Sequence, residues 1–202
     1  MKKLEKILAV TIIAFMVLRL FTAFPYSSMI LTLSTLLLVL LYTTFGFALL
    51  NGISFRSFLK KESFKGISIW RMIGIIGTGW VLSIVIIGIL FVFQRWPYGY
   101  INLQNGLIFT GIIVIVIVLK KGISFHKVYS YILLRIGITG LIGLFLLYLP
   151  QETLLEMQCK DCSTSYLEAE KALLKDPNNK ELQEKAYQEY IKMDKAEEER
   201  KQ

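Results

Sequence analysis

The chain has 202 residues, of which 54% are hydrophobic, and a mean hydropathy of +0.55. An ordinary soluble domain of this size rarely reaches that balance, so membrane residence is the first expectation. The formal net charge of +8 is split: residues 1–149 carry 14 Lys/Arg against two acids, Glu5 and Glu62, whereas residues 150–202 carry 9 against 13. Because the basic part is also the apolar part, the charge signals orientation in a membrane and excludes nucleic acid as the partner.

Five runs are long enough to cross a hydrocarbon core of ~30 Å, which takes about 20 helical residues at ~1.5 Å each. They are Ile7 to Phe24, Met29 to Leu50, Met72 to Phe93, Ile101 to Leu119 and Val128 to Leu149. The expected fold is therefore all-α: a polytopic membrane protein with five transmembrane helices over residues 1–149 and an acidic helical hairpin or tail over residues 150–202. The opening MKKLEKILAVTIIAFMVL has a basic start and an apolar centre but no small-x-small cleavage site near Ala23, and reads as a retained first helix. In the fourth run the strongly apolar part begins only at Gly106. That puts Asn102, Gln104 and Asn105 at headgroup level and leaves a re-entrant or tilted segment open.

Lys and Arg resist translocation, so their distribution sets the orientation. The amino end, the loop from Asn51 to Arg71 and the loop from Lys120 to Lys127 hold eleven basic residues, and the alternate loops hold one, Arg95. The expected location is the cell inner membrane, with the amino terminus cytoplasmic and the tail extracytoplasmic. The loop NGISFRSFLKKESFKGISIW interleaves Phe55, Phe58, Leu59 and Phe64 with Arg56, Lys60, Lys61 and Lys65. Such a segment suits the interface, with rings toward the acyl chains and cations toward anionic headgroups. Membrane lipids are thus expected partners.

The middle of the chain echoes itself. GISF follows the second and fourth runs (Gly52 to Phe55, Gly122 to Phe125), and RMIGIIGTG from Arg71 parallels RIGITGLIG from Arg135. Two hairpins of one orientation and chance similarity in apolar sequence both fit. In lipid, helices associate through close backbone approach at small residues. The spacing nominates Gly74 with Thr78, Gly79 with Ser83, Gly106 with Thr110, and Thr139 with Gly143 as helix-packing pairs.

Between the third and fourth runs the sequence turns aromatic: GILFVFQRWPYGYINLQNG, from Gly88 to Gly106. Pro97 fixes its own φ and biases Trp96 toward an extended conformation, and Gly99 can take the positive φ that closes a turn. Trp96, Tyr98 and Tyr100 suit the headgroup depth, since each has an apolar body and a polar edge. Trp96, Pro97, Tyr98, Gly99 and Tyr100 are the candidates for docking a neighbouring membrane protein; an aromatic belt without a partner is the alternative.

Beyond Pro150 the composition becomes that of water-exposed helices. Ser163 to Ser165 can cap a helix running to about Lys175, DPNN reads as a turn, and a second helix starts at about Lys180. AEKALLKDPNN is similar to a junction between tetratricopeptide repeats, but there is one junction where about three repeats are needed to close a core.

Few residues could carry chemistry. Cys159 and Cys162 in QCKDCS suit a local disulfide outside the cytoplasm. A metal site fails by ligand count, because the lone histidine, His126, is expected at the opposite face. Two cations fall within the spans. Arg19 lies near the outer end of the first and can extend to the headgroups. Arg135 lies ~10 Å inside Val128, so it must stretch back to the inner interface or face a polar partner in the bundle. None of the five runs contains Asp or Glu, which leaves no carboxylate at mid-membrane for proton or cation uptake. No catalytic set, metal ligand group or cofactor loop is legible.

The pattern GILFVFQRWPYGYINLQNGLIF, a glycine-bearing helix ending in Leu-Phe, then Gln-x-Trp-Pro, a glycine and a second helix, resembles the two-helix hairpin of GldL, the stator subunit of the gliding and type IX secretion motor. The resemblance covers residues 72–119 and implies a hairpin with an extracytoplasmic turn. Arg95 stands where that family tends to have His, and the acidic residue carried within the stator's helices has no counterpart between Leu107 and Leu119. The resemblance therefore implies the hairpin without the proton-driven activity. The expected function is a non-enzymatic accessory or scaffolding subunit that binds other integral membrane proteins. A transporter or channel component would need polar residues sharing one face of several helices. A membrane-embedded enzyme would need Arg135, His126 and a substrate brought together.

Overall fold

The computed structural model describes residues 1–22, 24, 26–54, 56–57, 60, 62, 67–121, 127–159 and 162–200. Every regular element among them is a helix: α1 (Lys2–Phe21), α2 (Ser27–Asn51), α3 (Ile69–Phe93), α4 (Gly99–Lys121), α5 (Lys127–Tyr148), α6 (Gln151–Gln158), α7 (Thr164–Lys175) and α8 (Lys180–Arg200). The chain divides into two compact units, one of Met1–Leu18 with Pro25–Tyr148 and one of Arg19–Phe24 with Leu149–Gln202. Phe55, Phe58, Leu59, Lys61, Phe64 and Lys65 of the interfacial loop, the second GISF and His126 lie outside the described residues.

Four helices are long and apolar enough to cross a membrane: Ser27–Asn51, Ile69–Phe93, Gly99–Leu119 and Val128–Tyr148. The fourth expected run is thus a continuous helix in which Asn102, Gln104 and Asn105 are helical. α1 is not one of the four. The helix starts at Lys2, ahead of the apolar run, and so carries Lys2, Lys3, Glu5, Lys6 and Arg19 within its 20 residues.

In the first unit α3 is central, packed against α2, α4 and α5. Leu82 and Val85 of α3 are fully buried, as is Leu103 of α4. Glycine lets the backbones meet. A Cβ on Gly79 would lie 2.6 Å from the Tyr42 carbonyl oxygen of α2, and one on Gly88 would lie 2.7 Å from Cα of Leu103. A Cβ on Gly106 would lie 3.1 Å from Cα of Val85. Ser83 adds a hydroxyl bond across the same crossing, to the Val39 carbonyl at 3.3 Å. α4 and α5 instead present Ile108, Ile115, Leu119, Leu141 and Phe145 outward, each about 60% exposed or more. Apolar faces of that extent are untenable in water and natural in lipid.

Polar clamps tie α2 to α3 at both ends. At one end Arg71 Nη2 donates to Asn51 Oδ1 at 3.2 Å. At the other, Ser28 Oγ donates to Gln94 Oε1 at 2.9 Å, while Gln94 Nε2 donates to the Ser28 carbonyl and to Thr32 Oγ1, both at 3.2 Å.

In the second unit α7 and α8 occupy the segments in which the sequence predicts helices. Ser163 caps α7 by accepting from the Tyr166 N–H, and Asn179 Oδ1 caps α8 by accepting from Glu181 and Leu182. Leu155, Cys159 and Tyr166 form a small core, against which Leu174 and Met193 pack.

Candidate functional site

The charged residue expected deepest in the bundle has a carboxylate partner. Arg135, on α5, donates through Nε to Glu5 Oε1 at 2.5 Å and through Nη2 to Glu5 Oε2 at 2.7 Å, a two-point pairing. Tyr42 of α2 donates its hydroxyl to Glu5 Oε1 at 2.6 Å, and Arg135 Nη1 donates back one turn to the Tyr131 carbonyl at 3.1 Å. Glu5 is 8% exposed. Arg135 thus does both things its depth requires: it bends toward the start of its helix and it meets a polar partner. Glu5 lies ahead of the run expected from Ile7, but α1 begins at Lys2 and its first turn directs the carboxylate inward. Counting would have found it. Of the two acids before residue 150, only Glu5 lies beside an apolar helix-length run.

Beside this triad lies a cleft of about 530 Å³ between α1, α2, α3 and α5. Lys2 also reaches it, its ammonium 5.1 Å from the centre of the Tyr131 ring and close to Gly52, whose left-handed φ of 73° ends α2. The first turn of α1 therefore lies beside the end of α2 and the start of α5. Thr35 and Thr139 line the cleft farther in, with hydroxyls bonded to carbonyls of their own helices.

The aromatic turn is built differently from its expected form. Gly99 does not take a positive φ; Arg95 (φ 57°) and Tyr98 (φ 62°) do. The end of α3 is a Schellman motif: the Arg95 N–H bonds to the Val92 carbonyl at 3.1 Å and the Trp96 N–H to the Phe91 carbonyl at 2.8 Å. The apolar contact that accompanies such an end is Phe91 against Trp96, edge to face with centroids 5.1 Å apart. Gly99 is needed for close approach instead, since a Cβ there would lie 2.8 Å from the Val92 nitrogen. With Pro97 between them, Trp96 (41% exposed) and Tyr98 (76%) face outward, while Tyr100 is half-buried.

Among the nominated packing residues, Gly79 and Ser83 sit at the α2–α3 crossing, and Gly143 meets the Leu103 and Leu107 side chains. Gly74 is at no crossing: a Cβ there would meet nothing within 4 Å, and with Thr78 it lines a second cavity of about 330 Å³. Thr78 and Thr139 each donate to a carbonyl one turn back. Gly46 and Gly88, which spacing did not nominate, make closer contacts than Gly74. Arg19 is half-buried and belongs to the second unit, whereas Arg135 belongs to the first. Cys159 and Cys162 are joined in a disulfide with Cα atoms 5.0 Å apart. No protein-family model, curated protein or solved structure matches this chain.

Proposed function

We propose that this chain is a non-enzymatic accessory or scaffolding subunit of the cell inner membrane, crossing it five times and binding other integral membrane proteins. The observation that carries this reading is the Glu5–Arg135–Tyr42 triad. Both Glu5 oxygens are taken up by donors from two other helices. Such a triad joins α1, α2 and α5 as a lock. It also supports α1 as the fifth crossing, since Lys2 and Glu5 lie beside the end of α2 and the start of α5 while Met16 lines the cleft that Leu31, near the start of α2, and Phe93, at the end of α3, also line.

In this reading the Lys-rich ends face the cytoplasm, and the acidic α6–α8 unit, stapled at Cys159–Cys162, faces outward. The partner docks on the turn carrying Trp96, Pro97, Tyr98, Gly99 and Tyr100, whose backbone is held rigidly by the Schellman motif. The resemblance of residues 72–119 to the GldL hairpin makes a motor or secretion assembly the class of complex to examine first. A photo-crosslinking residue at Tyr98 tests the docking. The reading expects one discrete protein adduct in cells, absent when the same residue is placed at Ile115 on the lipid-facing side of α4; adducts to lipid alone at both positions refute it.

A further inference from the structure

We propose that the cleft between α1 and the bundle holds one acyl chain of an acidic phospholipid from the leaflet on the Lys-rich side. Its lining is polarised along its length. Lys2, Glu5, Lys6, Tyr42 and Arg135 are gathered at one end, and since Arg135 neutralises Glu5, Lys2 and Lys6 leave that mouth with a net charge of two positives. The remainder is apolar: Ile12, Met16, Leu31, Ile89 and Phe93 are typical of the wall. The hydroxyls of Thr35 and Thr139 are already bonded to their own helices, so nothing deep in the cleft awaits a polar solute. An anionic head at the mouth with a hydrocarbon chain behind it satisfies both halves.

From Leu31 to Tyr42 the α2 wall is about 16 Å long at ~1.5 Å per residue, and from Tyr131 to Ile142 the α5 wall is about the same. Leu31 lies near the far start of α2 and Phe93 ends α3, so a chain entering at the Lys-bearing mouth runs past the middle of the ~30 Å hydrocarbon core. The volume of about 530 Å³ lies within the range of about 300 to 1,000 Å³ of pockets that enclose a ligand. α1 stands off from α2, α3 and α5 along this stretch and is held to them by the reach of Glu5, so the cleft is flanked by a helix that a lipid chain can pass beside.

Native mass spectrometry of the full chain, exchanged into mixed phosphatidylglycerol and phosphatidylcholine and then released from detergent, reads the bound lipid directly. One retained phosphatidylglycerol is expected. Lys2→Gln with Lys6→Gln should reduce the preference for phosphatidylglycerol at least about tenfold. Ala9→Trp, which fills the cleft from α1, should abolish retention, while Val10→Trp, on the adjacent outward position (66% exposed), should leave it unchanged. Equal retention of the two lipids by the unsubstituted chain, or equal retention by Ala9→Trp and Val10→Trp, overturns the proposal. The lysine variant alters only exposed positions, so its result stands even where a tryptophan variant fails to fold.

Discussion

Glu5 and Arg135, 130 residues apart in the chain, meet in a two-point ion pair that Tyr42 completes from a third helix. Removing one member of a buried pair strands the other charge, at a typical cost of about 3 to 5 kcal/mol, whereas removing both is often neutral. Arg135→Leu should therefore lower the thermal stability of the purified chain and its accumulation in membranes, and Glu5→Leu with Arg135→Leu should recover most of the loss. Thermal denaturation in detergent distinguishes the two; a double variant as impaired as the single one would show that Arg135 acts through something other than Glu5.

Substituted glycines should separate by contact and not by sequence spacing. Gly88→Ala and Gly79→Ala force a Cβ to within 2.7 Å and 2.6 Å of a neighbouring backbone and are expected to destabilise by about 1 to 3 kcal/mol. Gly74→Ala enters open space and should be neutral or slightly stabilising. The melting temperatures of the three variants, measured side by side, check the ordering.

At the aromatic turn the left-handed position belongs to Arg95 (φ 57°), where a side chain costs roughly 1 to 2 kcal/mol. Arg95→Gly should raise the stability of the α3–α4 hairpin by up to about 1 kcal/mol, and Gly99→Ala should lower it, because its Cβ would press on the Val92 nitrogen. A loss on Arg95→Gly, read in the same melting assay, would mean the arginine side chain contributes more than its backbone strain costs.

The α6–α8 unit should be sensitive to reductant and to alkali. Opening the short Cys159–Cys162 loop removes about 2 kcal/mol in the chain-entropy account. Lys171 donates to Glu156 at 2.5 Å, and that hydrogen bond raises the lysine pKa in the folded unit. A raised folded-state pKa means the tie between α6 and α7 is complete below the ordinary lysine value and is lost as pH rises through the folded value. Thermal melts of the full chain followed by circular dichroism should show Lys171→Met less stable near neutral pH and with a smaller further loss as the pH is raised, and an alkaline loss equal to that of the unsubstituted chain would remove this tie from the account.

Much of this fold can be read from the residues alone, for identifiable reasons. α2 to α5 are legible because apolar runs of about 20 residues have few other uses, and α7 and α8 because Ser163 and Asn179 are strong caps around a DPNN turn. α1 was harder. Hydropathy marks where its apolar stretch begins, at Ile7, but helical hydrogen bonding starts at Lys2, and those five residues carry the carboxylate that Arg135 requires. Spacing finds small residues without saying which face they occupy, so Gly74 and Gly79 look equivalent in sequence although only Gly79 lies at a crossing. Gly99 invited a positive φ on residue type, yet the Phe91–Trp96 contact and the end of α3 put that conformation at Arg95.

The central claim, a five-crossing scaffold whose Lys-rich and disulfide-bearing ends face opposite compartments, is tested most directly by labelling with a membrane-impermeant thiol reagent in spheroplasts. After mild reduction, Cys159 and Cys162 should react before the membrane is permeabilised, whereas cysteines introduced singly at Lys3 and Ser57, in a chain whose own two cysteines are replaced by serine, should react only afterwards. Labelling of the Lys3 position together with Cys159 and Cys162 in intact spheroplasts would put both ends in one compartment, remove α1 as a crossing and contradict the account.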